Sequence, residues 1–313
     1  MQSKQDHGQR FVLGDWGTSR LRLSLVENGI VADSREGPGI GVLTGTVAAT
    51  LTATIAPWLD TGKELEVLLS GMVGSRNGLL EVPYATAPVD ISTWSKSSAH
   101  TQLRGMNITI ATGLRTGEQE GAPDVMRGEE TQIFGAMQID ATLATGSHLL
   151  VLPGTHCKWV FVNDGAITRF RTALTGEVYA LLREHSTLLR AGKLDGDITA
   201  DTAAGFDAGM KRSTHLTEGL LAALFETRTA QLLDQRSRAW GSGFLSALLI
   251  GYEVAALSPT YSAAGGVSII GDQALAANYA RLFTNRGTPV RLLNGTDCAM
   301  TGLRWLRRYS KEN

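Results

Sequence analysis

Cysteine is scarce in this 313-residue chain, and the two present, Cys157 and Cys298, stand far apart without a metal-binding spacing. The six histidines show no paired ligand spacing either. A cysteine or histidine metal site is therefore not expected, and a reducing cytoplasm is the expected setting. Charge of one sign is also missing: the net charge is −1, with no basic stripe interleaved with aromatics. Nucleic acid is not an expected partner, and anionic ligands must be handled by a few placed cations. Long apolar runs are nearly absent. The one membrane-like stretch, Trp240 to Leu257, carries Ser242, Ser246, Glu253 and three glycines, which fits a helix buried between neighbours and not a lipid-facing span, so no membrane partner is expected. Residues 1–9 are polar, which predicts a flexible tail and no signal peptide. No low-complexity segment or short-period repeat occurs. The charged fraction and apolar content are those expected of a soluble globular protein, and the length is comfortable for two lobes.

The chain is organised around Phe11 to Ser24, FVLGDWGTSRLRLS. Phe11, Val12 and Leu13 read as a buried strand, and Leu21, Leu23 and Leu25 alternate with Arg20, Arg22 and Ser24 as a strand with one buried face. The Gly17-Thr18-Ser19 turn joins them as a hairpin. Such a turn presents backbone N–H groups and two hydroxyls on one edge, as a polyphosphate tail requires. Asp15, at the end of the first strand, is placed to hold Mg²⁺ through water. The alternative for a single motif of this kind is an ordinary hairpin whose Asp stabilises its own turn.

A second copy favours the nucleotide reading. In His148 to Arg171, Gly154-Thr155 follows an apolar strand as Gly17-Thr18 does, and Asp164-Gly165 stands where the first copy has Asn28-Gly29. Each unit predicts a three-stranded meander. Duplicated units, one per half, imply two similar lobes whose turns face each other across a cleft that grips ATP phosphates. The expected division is an N-terminal lobe over 10–140 and a C-terminal lobe over 141–313, with the last helix able to pack back on the first lobe.

Between these turns, Val47 to Leu59 reads as a helix and Leu65 to Leu69 as a strand that empties into Ser70 to Gly78, SGMVGSRNG. Open α/β sheets bind ligands at the carboxyl ends of their strands. Arg76 there is able to chelate a carboxylate, with Ser75 and Asn77 reading hydroxyls; a solvated loop arginine is the alternative. Asn107 to Thr112 is a short strand, and a helix begins at Gly128-Glu129-Glu130. These two acids are either helix-terminus electrostatics or, between two phosphate turns, a source of the base that activates a hydroxyl. Further on, Thr175 to Leu189 and Leu216 to Leu233 read as helices. Val267 to Ile270 is a strand leading through Gly271-Asp272 into a helix, a junction able to pack a flat adenine or simply a βα turn. Val290 to Leu292 and Thr296 to Arg308 close the chain as strand and helix.

The order of D-W-G-T-S, a helix-start acid, a second G-T turn about 25 residues later and a late glycine before a helix resembles the sugar kinase/heat-shock 70/actin superfamily. Five segments, GDWGTSRLR, SGMVGSRNGLLEVPY, DVMRGEETQIFGA, LPGTHCKWV and GDQALAANYARLF, together resemble the 2-dehydro-3-deoxygalactonokinase family over nearly the whole chain. The resemblance implies a two-lobed ribonuclease H-like, actin-like ATPase fold, each lobe a mixed sheet flanked by helices, with ATP in the cleft. It implies ATP- and Mg²⁺-dependent phosphorylation of the sugar acid 2-dehydro-3-deoxy-D-galactonate at its terminal hydroxyl, giving the 6-phosphate in galactonate breakdown.

In the roles it implies, Asp15 organises Mg²⁺, Gly17, Thr18 and Ser19 with Gly154, Thr155 and His156 cradle phosphates, and Gly271 with Asp272 flanks the nucleoside. Lys158 either neutralises phosphate charge or points to solvent. Met72, Ser75, Arg76 and Asn77 contact the sugar acid. Glu129 occupies the position of the catalytic Asp in glycerol kinase-like relatives, and the extra methylene leaves Glu130 and Asp124 as further candidates for the base. Gly271 is followed by Asp272 where the superfamily has a double glycine, which puts the adenosine contacts in question. A homodimer is the assembly considered. The competing readings are a kinase of another sugar or sugar acid and a non-enzymatic nucleotide-gated actin-like protein.

Overall fold

The computed structural model describes residues 9–60, 63–117, 122–192, 196–261 and 265–312. The tail expected over 1–9 lies outside the described residues except for Gln9. By contacts the chain forms two compact units, one from Met1–Ser147, Phe161–Phe170 and Leu293–Asn313, the other from His148–Val160 and Arg171–Leu292.

The first unit opens with β1 (Arg10–Trp16), β2 (Arg20–Glu27) and β3 (Ile30–Pro38), followed by α1 (Val47–Ile55) and β4 (Leu65–Gly71). The predicted alternation in β2 is observed: Leu21, Leu23 and Leu25 are buried while Arg20 and Arg22 are exposed. Asn28 and Gly29 both take positive φ, the backbone of a two-residue turn that continues the strand twist. After β4 come β5 (Ala85–Thr86), α2 (Ile91–Lys96), β6 (Ala99–Leu103), β7 (Met106–Ile110), β8 (Leu114–Arg115), β9 (Val125–Met126) and α3 (Glu129–Ile139). The main sheet has the order β3-β2-β1-β4-β7-β6. Its β1–β2 and β2–β3 pairs are antiparallel, and β1–β4 and β4–β7 are parallel.

The second sheet repeats that plan. Its elements are β10 (Ser147–Leu152), β11 (Cys157–Asn163) and β12 (Ala166–Ala173), then α4 (Thr175–His185), α5 (Ile198–Ser213), α6 (Leu220–Leu233), α7 (Arg238–Leu257), β13 (Val267–Gly271), α8 (Gln273–Thr284) and β14 (Val290–Asn294). The order is β12-β11-β10-β13-β14, with β10 and β13 parallel. Asp164 and Gly165 take positive φ like their counterparts in the first sheet. Both sheets therefore follow the same sequence, a meander and then a crossover to a parallel strand beside the first, which is the expected ribonuclease H-like arrangement.

Several elements differ from the sequence reading, among them the short β5, α2, β8 and β9, which it does not contain. The helix expected from Leu216 begins at Leu220, because Gly219 takes a φ of 85° and ends a turn closed by its N–H on Leu216 O. The helix expected over Thr175 to Leu189 stops at His185. The edge strand β6 was not anticipated, since AHTQL has little apolar alternation to announce it.

The apolar stretch Trp240–Leu257 falls in α7, which is long and apolar enough to cross a membrane, yet 67% of its apolar window is buried inside the structure. Its glycines explain how: a Cβ on Gly243 would overlap Thr202 O, and α5 answers with Gly205, whose Cβ would overlap Trp240 O. The last helix, α9 (Gly295–Glu312), meets α3 in the same way. A Cβ on Gly135 would overlap Cys298 O and one on Gly302 would overlap Thr131 O, so the two backbones touch with no side chain between them. Buried Arg307 of α9 also donates from Nε to Glu66 (2.9 Å) and lies 3.9 Å over the Phe11 ring. Gly135→Ala is expected to destabilise the first unit by about 3 kcal/mol or more, because backbone has no rotamer with which to yield. Calorimetric melting curves of the variant and the parent test this, and superimposable curves would show that the helices separate freely.

Candidate functional site

In the first unit, three chain segments converge. Asp15 lies next to the end of β1, in register with Arg22 of β2 and Ser70 of β4. Burial pushes its carboxyl above the usual range, against the pull of Arg22, and the side chain has no hydrogen-bond partner among the described residues. Gly71 ends β4 with a φ of 88°, and Gly128 precedes α3 with a φ of 109°. A Cβ on Gly71 would lie 2.6 Å from Trp16 O and 3.3 Å from Asp15 Oδ1. One on Gly128 would lie 3.2 Å from Gly71 Cα and 3.9 Å from Asp15 Oδ1. Only glycine satisfies both the conformation and the approach, and the result is the start of α3 set against Asp15.

The two acids of α3 have different surroundings. Glu130 is fully buried, and both its oxygens receive the Gly128 N–H, at 2.9 and 2.8 Å. Burial first, and the neighbouring Glu129 second, push its carboxyl up to about 8. Glu129 is half-buried, and its Oε2 accepts from Arg127 N at 3.0 Å. Asp124 stands in the loop before β9 and accepts the Val125 N–H at 2.7 Å.

The Gly17-Thr18-Ser19 turn closes through Gly17 N on Arg20 O and is braced by Ile40 N on Gly17 O and Gly41 N on Thr18 O. The Thr18 and Ser19 side chains are exposed and have no hydrogen-bond partner among the described residues. Met72 to Gly74 form a single 3₁₀ turn, and Ser75 Oγ donates back to Met72 O at 2.7 Å. Arg76 and Asn77 are exposed. A separate, open depression of about 450 Å³ lies by Lys63 and Glu64, before the start of β4 and therefore at the other end of that strand.

In the second unit, Gly154, Thr155 and His156 form the turn between β10 and β11. The start of α4 is seated on it: Glu177 N donates to Thr155 O, a Cβ on Gly176 would overlap Gly154 O, and His156 Nε2 lies 2.6 Å from Glu177 Oε2. Lys158 does not point to solvent. It is 4% exposed, and its Nζ donates to Thr172 Oγ1 at 2.8 Å, because its place on β11 faces inward.

Gly154 and Asp272 line one cavity of about 270 Å³ with Tyr179, Leu249, Leu275 and Asn278 among its walls. Asp272 caps α8, accepting from Ala274 N (3.0 Å) and Leu275 N (3.3 Å), with Gly271 ending β13 beside it. The cavity wall is anchored from behind: Tyr279 OH donates to the buried Glu253 at 2.7 Å, and Trp159 Nε1 donates to the same carboxylate at 2.6 Å.

A family model described as 2-keto-3-deoxy-galactonokinase matches residues 15–306. The chain belongs to this family. It is a carbohydrate kinase, a transferase that binds ATP. The 2-dehydro-3-deoxygalactonokinase of Escherichia coli (strain K12) is 34% identical over 297 residues, covering 94% of this chain and 96% of that one. A Rhizobium meliloti (strain 1021) relative named as a probable 2-dehydro-3-deoxygalactonokinase is 30% identical, covering 92% and 94%. The crystal structure of a Sinorhizobium meliloti protein, provisionally assigned to the same activity, superimposes with a TM-score of 0.82 at 30% identity, covering 95% of this chain and 98% of that one.

Within this chain of the 2-keto-3-deoxy-galactonokinase family, the residues that suit a cation are few. Among the described residues no group of three or more His, Cys, Asp or Glu is arranged for a metal. A single carboxylate without a hydrogen-bond partner among the described residues, as at Asp15, suits Mg²⁺, a cation commonly held by one or two carboxylates together with substrate phosphates.

Sequence reading gives no site role to several residues that the fold brings to these sites: Arg127 in the first unit, Tyr179 and Asn278 in the second, while Ser70 is read only as the start of the glycine loop and Tyr84 only as its anchor. Ser70 is buried with its Oγ unpaired beside Asp15. For Arg127 a signal was present, a cation directly before the glycine that opens α3. For Tyr179 and Asn278 none was, because helical spacing does not tell a core face from a cavity face.

Proposed function

We propose that this chain transfers the γ-phosphoryl group of ATP to the terminal hydroxyl of 2-dehydro-3-deoxy-D-galactonate, forming the 6-phosphate during galactonate breakdown in the cytoplasm. The observation that carries the reading is the family match over residues 15–306, which contains every segment of the two sites. The geometry supports a division of labour. Glu129, half-buried at the start of α3 with one oxygen tied to Arg127 N, orients the hydroxyl and receives its proton. Asp15 would hold Mg²⁺, and the cation when bound would shield the charge of the phosphates. The open hydroxyls of Thr18 and Ser19, with Gly17, and the Gly154-Thr155-His156 turn bind phosphate oxygens. The cavity flanked by Gly271 and Asp272 takes the nucleoside, its apolar walls stacking the base and the Asn278 amide facing the base edge. Met72, Ser75, Arg76 and Asn77 border the acceptor. Little covalent chemistry is asked of these groups, since phosphoryl transfer is mostly positioning and electrostatics.

The test is ADP formation by the purified protein with ATP and Mg²⁺ against 2-dehydro-3-deoxy-galactonate and its gluco epimer, with glycerol and glucose as controls. Preference for the galacto acid, with ³¹P NMR placing the phosphate on the terminal carbon, is the expected result. Faster turnover of a neutral sugar would overturn the substrate assignment.

A further inference from the structure

Arg127 is the most unusual cation among the described residues. Its guanidinium lies 4.2 Å over the Tyr84 ring and donates from Nη2 to Val82 O at 2.7 Å, while its Nε and Nη1 are buried with no hydrogen-bond partner. It forms no ion pair within the described residues. Its surroundings are shaped for it. A Cβ on Gly74 would stand 2.8 Å from Nη1, and a Cβ on Gly113 would stand 2.9 Å from Tyr84 Cε1, so two glycines clear the space that the stacked pair fills. Val82, Tyr84 and Gly74 belong to the glycine loop and its exit, and Arg127 to the segment that opens α3, so two distant stretches of sequence build one seat for a guanidinium.

A guanidinium carries five N–H donors and cannot give up its proton. Removing it from water is costly unless each donor is met, and an aromatic face with one carbonyl meets only part of that requirement. The unmet donors call for a planar anion, and a carboxylate fits the fork of an arginine better than any neutral group. Direction matters as well. From one short segment, the Arg127 side chain runs to Val82 and Tyr84, while the Glu129 carboxylate folds back to the Arg127 backbone N–H. A ligand one sugar long, with an acid at one end and a reacting hydroxyl at the other, is what two such diverging groups suit.

We infer that Arg127 binds the C1 carboxylate of the acceptor and makes the enzyme select sugar acids over neutral sugars, with the exposed Arg76 at the rim of the same loop. The inference rests on the proposed acceptor being a sugar acid. Seating the carboxylate requires the guanidinium to turn its buried nitrogens toward the ligand.

The test compares kcat/KM for the acid with that for its C1 carboxamide. The parent enzyme is expected to prefer the acid by about 10²-fold, the size of effect that accompanies loss of one partner from a buried charge pair. Arg127→Gln is expected to remove that preference to within a few-fold while leaving the KM for ATP in place. Arg127→Lys, which restores charge without the fork, should recover part of it, and Arg76→Gln should retain it. A parallel loss toward acid and amide in Arg127→Gln, a raised KM for ATP, as expected of a phosphate-binding arginine, or collapse of the preference in Arg76→Gln would overturn the assignment. Should the Arg127 variants not fold, a crystal structure of the parent with the acid bound decides the point. The carboxylate on Arg127 supports the assignment, and on Arg76 it refutes it. A parent enzyme that does not phosphorylate the acid removes the substrate reading and this inference together, whereas an acid preference that survives Arg127→Gln removes the inference alone.

Discussion

Glu129→Gln is expected to lower kcat by about 10²–10⁴-fold while ATP still binds, the loss that follows when a positioned base can no longer take a proton. Glu129 sits in the first turn of α3, where the helix dipole favours a negative charge, and it is half-buried where Glu130 is fully buried. Its Oε2 is tied to Arg127 N. Glutamine keeps an acceptor for that N–H, so the substitution removes basicity with little change of shape. The loose transition state of phosphoryl transfer places the effect toward the lower end of that range, because the hydroxyl proton departs late. Glu130 is the competing base, yet both of its oxygens are occupied by the Gly128 N–H and no part of it reaches solvent. Steady-state kinetics beside a fluorescence titration with ATP separates the two. Near-full turnover in Glu129→Gln together with collapse in Glu130→Gln would move the base to Glu130.

What the sequence announced and what it concealed divide along physical lines. The hairpins were legible because their signals are local: alternation in Leu21, Leu23 and Leu25 reports one buried face, and Asn28-Gly29 and Asp164-Gly165 supply the positive φ that a tight turn needs. The glycine loop after β4 and the acids at α3 were legible for the same reason. The pairing of Gly135 with Cys298 and of Gly302 with Thr131 was not, because a glycine that admits a distant backbone looks in sequence like any other glycine. Arg127 was hidden differently. Its chemistry depends on Val82, Tyr84 and Gly74, some 45 residues away in sequence for Val82, and only the fold brings them to its guanidinium. Lys158 shows the converse, a cation close in sequence to the Gly154-Thr155-His156 turn that the fold buries against Thr172.

Glu130 leads to the second large effect, on stability as pH changes. Its folded carboxyl is raised to about 8, by burial above all and then by the charge of Glu129, whereas the ordinary value is 4.5. Between those values the folded protein holds a proton that the unfolded chain has released. Stability must therefore fall as pH rises from about 4.5 to about 8, and level off above that. Glu130→Gln has no proton to lose, and its amide oxygen still accepts the Gly128 N–H. The variant is expected to lack this part of the slope, and to gain on the parent by on the order of 4 kcal/mol between pH 5 and pH 9. Urea unfolding midpoints measured across that interval show the difference directly. Parallel profiles for parent and variant would mean that the Gly128 N–H and Arg127 keep Glu130 ionised in the folded state, and that the buried end of α3 carries two negative charges beside Asp15. The direction of the slope thus reports how much negative charge this site holds before any phosphate arrives. A site already carrying a proton on Glu130 accepts an anionic donor and an anionic acceptor with less repulsion than one holding three carboxylates, so the same proton that stabilises the fold at low pH also lowers the electrostatic barrier to binding.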